Sequence, residues 1–444
     1  MKNDFRQDLH LEPQKGWLND PNGLCFFKGR YHVYFQYAPD SAKGAGNKCW
    51  GHFQSKDLTS WEFTGTVLFP DTPHDRNGVY SGCGFVKYDT LYLFYTGNVK
   101  QEGDYDYITA GREANTILVT TKDGVTMSEK KVLLRSSDYP DYCSCHVRDP
   151  KVWEQDGTYY MVLGARTLDD KGCVLIYKSG DLENWEFREE VHTADLGYMW
   201  ECPDRFTMGG NEYLSISPQG VPHEEYRFQN VYSSGYLNMK TGVYNEWDCG
   251  FDFYAPQTFT APDGRRILIG WMGIGDIPYS NPTTELGWQH CLTVPCEVTE
   301  GAGGKLLRNP VAELEKLVTR RTELNGSGEQ VQLPFDLAAS AQSDSFELDI
   351  SNAVQMTFED GIFTLKFLDE KVGCGRDVRR VKLDSCDRLR VLADKTSLEI
   401  FLGGGENVLS TRFYPPATAV TVTSRGLNCH AAELRAMEVD HLGK

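Results

Sequence analysis

Three carboxylates share a local setting close to a proline, in Asp20-Pro21, Asp149-Pro150 and Glu201-Cys202-Pro203. Proline fixes its own backbone and pushes the preceding residue towards an extended conformation, which favours a rigid strand start. Taken singly, each acid could be a solvated loop residue, and Asp20-Pro21-Asn22-Gly23 alone is typical of a turn. Carboxylates paired in a pocket suit glycoside cleavage, because one can attack the sugar while the other protonates the departing oxygen.

A repeat of about sixty residues relates the three acids. Five apolar, β-branched or aromatic segments each follow a tight-turn signal and are predicted as second strands of hairpins. They begin at Tyr31, Leu91, Tyr159, Tyr213 and Ile267. The strand preceding each segment starts, in chain order, with Asp20, Ser81, Asp149, Glu201 and Ala255. Three of these five equivalent positions therefore carry a carboxylate.

Five four-stranded units predict an all-β fold that begins with a five-bladed β-propeller; an array of β-sandwiches is the alternative. Since the first strand of each propeller blade lines the central channel, the acids should converge on one pocket. Like charges held close together resist ionising at once, so such a cluster is usually kept for function.

The repeat ends near Arg308, and the later strands alternate apolar and polar residues. That alternation predicts a C-terminal β-sandwich. We expect a catalytic propeller at residues 1–308, a linker at 309–325 and the sandwich at 326–444.

Other residues near the motifs could bind a sugar. Indole faces stack on the C–H surfaces of sugars, and the candidates are Trp17, Trp50, Trp200 and Trp271. Asn19, Gln36 and Arg148 could bind hydroxyl groups. Each tryptophan could equally belong to the core.

Composition excludes several function classes. The 444 residues carry a net charge of −18 without a basic run, which argues against nucleic-acid or anionic-membrane partners. Thirteen scattered cysteines without a Cys-x-x-Cys pair indicate neither a disulfide framework nor a zinc site, and we expect no metal or cofactor. The first residues contain no apolar signal segment, so we expect a cytoplasmic enzyme. Composition does not define the oligomeric state.

Several motifs resemble those of the β-fructofuranosidases of glycoside hydrolase family 32, and the likeness runs the whole length of the chain. They are Trp17-Leu18-Asn19-Asp20-Pro21-Asn22-Gly23, Phe35-Gln36-Tyr37, Trp50-Gly51-His52, Tyr80-Ser81-Gly82, Arg148-Asp149-Pro150, Glu201-Cys202-Pro203 and Gly270-Trp271-Met272. The resemblance implies a retaining hydrolase of terminal β-D-fructofuranosides. Leu18, Tyr80 and Asn309 stand where the family often has other residues.

The resemblance assigns roles to the three acids: Asp20 as the nucleophile, Asp149 as the residue that holds sugar hydroxyls in the transition state, and Glu201 as the acid/base. It also adds Tyr80 and Ser81 to the predicted substrate-binding residues. Sucrose or sucrose 6-phosphate is the expected substrate. The alternatives are an exo-acting fructan hydrolase, a fructosyltransferase that uses the same intermediate, and a non-catalytic sugar-binding homologue.

Overall fold

The predicted propeller is confirmed. A computed structural model describes residues 4–193 and 195–441, and five of its seven sheets, built mainly from antiparallel strands, form the propeller blades I to V. The strands of blades I to III are β1 Gly16–Phe27, β2 Arg30–Ala38, β3 Cys49–Ser55, β4 Ser60–Leu68, β5 Val79–Lys87, β6 Thr90–Lys100, β7 Arg112–Thr121, β8 Lys131–Leu134, β9 Cys143–Gln155, β10 Thr158–Thr167, β11 Gly172–Ser179 and β12 Glu186–Val191. Those of blades IV and V are β13 Met199–Met208, β14 Asn211–Gln219, β15 Gly235–Asn238, β16 Tyr244–Glu246, β17 Tyr254–Thr260, β18 Arg266–Met272, β20 Cys291–Leu292, β21 Cys296–Glu300 and β22 Leu306–Pro310, whereas β19 Trp288–Gln289 joins blade I.

A polar turn of the same kind precedes the last strand of blades I, II and III. In blade I the Asp57 carboxylate accepts hydrogen bonds from the backbone N–H groups of Thr59 and Ser60 at 2.9 and 2.7 Å. Asp123 and Asp181 make the equivalent bonds in the next two blades. A short acid that satisfies the turn backbone explains why the Ser/Thr-x-Asp signal recurs along the chain.

Blade I contains strands from distant parts of the chain. β19 pairs in parallel with the inner strand β1. A further strand, β35 Glu438–His441, pairs in parallel with the outer strand β4. Both edges of the blade that carries Asp20 are therefore covered by later segments.

The second domain is the predicted β-sandwich of two six-stranded sheets. Their strands are β23 Val318–Leu324, β24 Ser327–Gln332, β25 Phe335–Ala341, β26 Phe346–Ile350, β27 Val354–Glu359, β28 Ile362–Phe367, β29 Val378–Lys382, β30 Arg388–Asp394, β31 Ser397–Leu402, β32 Asn407–Arg412, β33 Ala419–Arg425 and β34 Leu427–Leu434. One cluster of buried apolar side chains fills the space between the sheets.

The segment predicted as a linker, 309–325, contains regular structure. It includes the 3-10 helix Ala312–Leu317 and β23, which pairs with β34 of the sandwich. We therefore propose that the sandwich begins at Val318. Helical structure is otherwise limited to α1 Glu370–Gly373 and the 3-10 segments Ser136–Asp138, Pro282–Leu286 and Ala302–Gly304, and no helix in the described ranges could cross a membrane.

Buried ion pairs hold the two domains together. Arg376 of the sandwich donates two hydrogen bonds of 2.7 and 2.8 Å to Asp252 of the propeller. His10 lies between Asp394 and Glu399, with nitrogen-to-oxygen distances of 2.8 and 2.9 Å. All five side chains are buried, so these charges are compensated within the protein.

Candidate active site

A β-bulge in the innermost strand of every blade shapes the mouth of the channel. After Leu18, Val79, Arg148, Glu201 and Tyr254, two residues of this strand stand opposite a single residue of the next strand. In blades III to V the bulge begins with a left-handed residue, Asp149, Cys202 or Ala255, at φ of 64, 47 and 49°. A proline follows each of the three. Because a bulge turns side chains away from the regular alternation, it directs the motif residues into the channel.

Asp20 is held by three polar side chains. Its Oδ2 accepts hydrogen bonds from Ser81 at 2.5 Å and Gln36 at 3.3 Å, while Oδ1 accepts one from the Asn19 amide at 3.0 Å. The indole N–H of Trp17 donates to Asn19 Oδ1 at 2.8 Å and so turns the Asn19 amide nitrogen towards Asp20. Four of the predicted substrate-binding residues thus lie at the predicted nucleophile. Ser81, Gln36 and Asn19 bind Asp20, and Trp17 binds Asn19.

Asp149 and Asp20 meet at Cys202. The Cys202 thiol lies 3.8 Å from Asp20 Oδ2 and 3.7 Å from Asp149 Oδ2, and the Cys202 N–H donates to Asp149 Oδ2 at 2.9 Å. The Asp149 N–H donates to the Thr96 hydroxyl at 2.9 Å. These bonds fix Asp149 in its left-handed conformation, which is uncommon for a residue other than glycine.

Glu201 accepts hydrogen bonds on both oxygens. Oε1 accepts hydrogen bonds from Nε and Nη2 of Arg148 at 3.1 and 2.7 Å. Oε2 receives the Tyr254 hydroxyl at 2.6 Å and the Gln219 amide at 2.7 Å. The structure thus brings all three predicted acids and Arg148 together at one end of the channel.

Burial dominates the electrostatics of this cluster. It raises the pKa of Asp20 despite the hydrogen bonds from Ser81 and Asn19, and the charge of Glu201 raises it further. Burial also raises the pKa of Asp149 to about 7, against the opposing effect of Arg148. Arg148 interacts with two of the three carboxylates, Glu201 and Asp149, and such crowding of acids is typical of functional sites.

The four candidate tryptophans divide into two pairs. Trp17 and Trp271 lie with ring centroids 5.8 Å apart beside the acids, and His290 contacts both. Trp50 and Trp200 are fully buried in apolar clusters. The Trp50 indole donates to the Tyr80 carbonyl at 3.1 Å, so Trp50 supports Tyr80 from below the surface of the channel.

Several site residues escaped the sequence analysis. Tyr254 and Gln219 complete the shell of Glu201. Asn22 donates to the Asp20 carbonyl and accepts the Gly82 N–H, which ties blade I to blade II. The sequence signal for Tyr254 is the proline two residues later, because Tyr254-Ala255-Pro256 occupies in blade V the position of Glu201-Cys202-Pro203 in blade IV.

Lys48 is a further cation beside the acids. Its ammonium lies 5.4 Å from the centroid of the Trp17 ring and donates to the Gly44 carbonyl at 2.6 Å. Burial lowers the pKa of Lys48 to about 8. Among the described residues there is no group of His, Cys, Asp and Glu side chains arranged to hold a metal ion, and the prediction that no metal is required stays a prediction.

Comparison with known protein families places both domains in one family. The N-terminal domain of glycosyl hydrolases family 32 matches residues 10–310, and the C-terminal domain of the same family matches residues 307–438. The chain belongs to glycosyl hydrolase family 32. The predicted resemblance is thereby confirmed.

Relatives within family 32 cover nearly the whole chain. A sucrose-6-phosphate hydrolase of Bacillus subtilis is 39% identical over 443 residues, which is 92% of this chain and 89% of that protein. A Bombyx mori β-fructofuranosidase, solved as a mutant in complex with sucrose, has a TM-score of 0.84 and 31% identity and covers 98% of this chain and 95% of its own. A sucrose-6-phosphate hydrolase from Lactobacillus gasseri has a TM-score of 0.87 and 25% identity, covering 98% and 94% of the two chains.

Proposed function

We propose that this family 32 glycosidase is a retaining β-fructofuranosidase that hydrolyses sucrose or sucrose 6-phosphate and releases fructose. The observation that carries the proposal is the convergence of Asp20, Asp149 and Glu201 from three blades around Cys202 and Arg148. The family match and the relatives that act on sucrose 6-phosphate support the same substrate class.

In the first step, Asp20 attacks the anomeric carbon of the fructosyl unit. Ser81, Gln36 and Asn19 hold this carboxylate in one orientation, so little reorganisation is needed when it reacts. Glu201 donates a proton to the departing glycosidic oxygen, since a sugar alkoxide is a poor leaving group. The products of this step are a fructosyl ester of Asp20 and the free leaving sugar.

In the second step, a water molecule replaces the leaving sugar and Glu201 acts as the base. The water attacks the anomeric carbon, its proton passes to Glu201, and the bond to Asp20 breaks. Asp149 accepts hydrogen bonds from fructosyl hydroxyls, and such contacts strengthen as positive charge develops on the ring. Two displacements at one carbon leave the product with the configuration of the substrate.

The decisive experiment follows the product configuration by proton and carbon NMR immediately after adding enzyme to sucrose and to sucrose 6-phosphate. We expect β-D-fructofuranose as the first product from at least one of the two sugars. A first product of inverted configuration, or no hydrolysis of either sugar by folded protein, would overturn the proposal. Fructosyl oligomers as the main product at high sucrose would instead indicate a transferase.

A further inference from the structure

Beyond Glu201, one wall of the site carries a series of positive groups. Arg148 binds Glu201, and Arg148 Nη1 lies 2.8 Å from Nδ1 of His146. On the other side of the imidazole, His146 Nε2 lies 3.1 Å from Nη1 of Arg112. Arg112 begins β7 and pairs directly with Lys100 at the end of β6. The series therefore runs from the proposed acid/base outward to the rim formed by the 101–111 loop.

Arg112 finds no acceptor in His146. Arg148 can only donate, so Nδ1 of His146 must accept its hydrogen bond. In a neutral imidazole the proton is then on Nε2, which donates to the Tyr107 carbonyl at 3.0 Å. The Nη1 group of Arg112 consequently faces an N–H group, and the buried Nε of Arg112 also has no hydrogen-bond partner.

The other two arginines of this wall are neutralised. Arg148 pairs with Glu201 at 2.7 Å, and Arg166 pairs with Asp170 at 2.6 Å. No carboxylate in residues 4–193 or 195–441 lies within ion-pair distance of Arg112, although its side chain is partly buried. A desolvated cation without a counterion is unfavourable, which makes this a prepared site for an anion.

The state of His146 reports the excess positive charge. Burial, together with the charges of Arg148, Arg112 and Arg166, lowers the pKa of His146 to about 3. Within the 101–111 loop, the Asp106 carboxylate accepts hydrogen bonds from the Thr109 hydroxyl and from the backbone N–H groups of Ile108 and Thr109. Asp106 therefore forms no ion pair with Arg112.

We propose that Arg112 determines specificity by binding the phosphate group of a 6-phosphorylated leaving sugar, with Lys100 as a second cation at the rim. This inference rests on the proposed function, in which Glu201 contacts the oxygen of the leaving sugar. Arg112 lies on the same wall as that carboxylate, separated from it by Arg148 and His146, on the side where the departing sugar would extend. A guanidinium presents a planar fork of donors that matches phosphate oxygens, and that of Arg112 is in no ion pair among the described residues.

The test compares kcat/KM for sucrose 6-phosphate and for sucrose in the wild type, R112Q and R112K. R112Q should lose about 10- to 100-fold in kcat/KM for the phosphorylated sugar, because a charge-assisted hydrogen bond is removed. Sucrose turnover should change little, and R112K should recover part of the loss. R227Q is the matched control, since Arg227 is exposed and contacts the Tyr244 carbonyl away from the acids.

Product inhibition gives a second readout. Glucose 6-phosphate should inhibit the wild type more strongly than glucose does, and R112Q should abolish this difference. Equal losses for both substrates in R112Q, or an unchanged preference between them, would overturn the inference. So would an R112Q variant that loses only its inhibition by inorganic phosphate, because that result assigns Arg112 to a free anion. A wild type that cleaves neither sugar would contradict the proposed function itself.

Discussion

The catalytic channel and the interface between the domains both bury carboxylates, but the carboxylates have different partners. At the interface, Arg376 holds the pKa of Asp252 below its usual value and His10 does the same for Asp394, although burial opposes both effects. In the channel, burial outweighs the opposing hydrogen bonds and the charge of Arg148, so the pKa values of Asp20 and Asp149 are raised. The interface acids therefore contribute to stability, whereas the channel acids reduce stability and remain available for chemistry.

The largest expected effect is the loss of activity on removing the nucleophile. Asp20→Asn keeps the shape of the side chain but should lower kcat by at least about 10⁴-fold, because no covalent intermediate can form. The melting temperature should stay the same or rise. Steady-state assays and thermal unfolding of the same preparation check both results; substantial residual turnover, once deamidation is excluded by mass spectrometry, would contradict the assignment.

Glu201→Gln should act on proton transfer and so depend on the leaving group. For sucrose we expect a loss of about 10²- to 10⁴-fold in kcat/KM, since general acid catalysis contributes about that much. A fructoside with a nitrophenyl leaving group should retain far more of its kcat/KM, because its departure needs little protonation. Equal losses for the two substrates would remove Glu201 from the role of acid.

Removing one partner of an interface ion pair should lower the stability of the protein, whereas replacing a channel acid should not. Arg376→Met leaves Asp252 buried without its cation and should lower the free energy of unfolding by about 3–5 kcal/mol. Lys122→Met, which removes a cation from an exposed pair with Asp89, is the control and should have no measurable effect. Urea denaturation at pH 7 measures both. A small effect at Arg376 would show that the interface pairs do not stabilise the fold.

The smallest expected effect is that of Asp149 on stability, and it tests the contrast between channel and interface directly. Asp149 has a raised pKa of about 7 in the folded protein, so the folded state binds a proton more readily than the unfolded state. The wild type should therefore lose stability as the pH rises from about 4 to about 7. Asp149→Asn should remove this cost and raise the free energy of unfolding at pH 7 by about 1–3 kcal/mol while lowering kcat. A lower stability for this variant would contradict the electrostatic account.

The sequence predicted those parts of the molecule that repeat locally. The five hairpins, the acids before prolines and the alternating strands of the sandwich are each encoded by adjacent residues. The two-residue strand β19 and the polar strand β23 were missed, because their pairing depends on partners far away in the chain. The bulges also escaped prediction, since a shift in pairing leaves no pattern in one strand alone.

Residue type did not reveal which aromatic residues face the channel. Trp17 and Trp50 both lie in blade I motifs, but only Trp17 lies against Asn19 and Trp271. Trp50 packs against Tyr34 and Tyr95 in the core. The difference arises from the direction of each side chain on its strand, which depends on the bulge register. Arg112 was missed for a related reason, because only the tautomer of His146 shows that it lacks an acceptor.

The pairing of β35 with β4 has a consequence for biosynthesis. Blade I contains β1 to β4, yet its outer edge is covered by residues 438–441 and its inner edge by residues 288–289. During translation, Asp20 therefore belongs to a sheet that stays incomplete until residue 441 has been made. Formation of a working catalytic centre is in this way coupled to completion of the sandwich, and a ribosome-bound fragment that ends after blade V should be inactive.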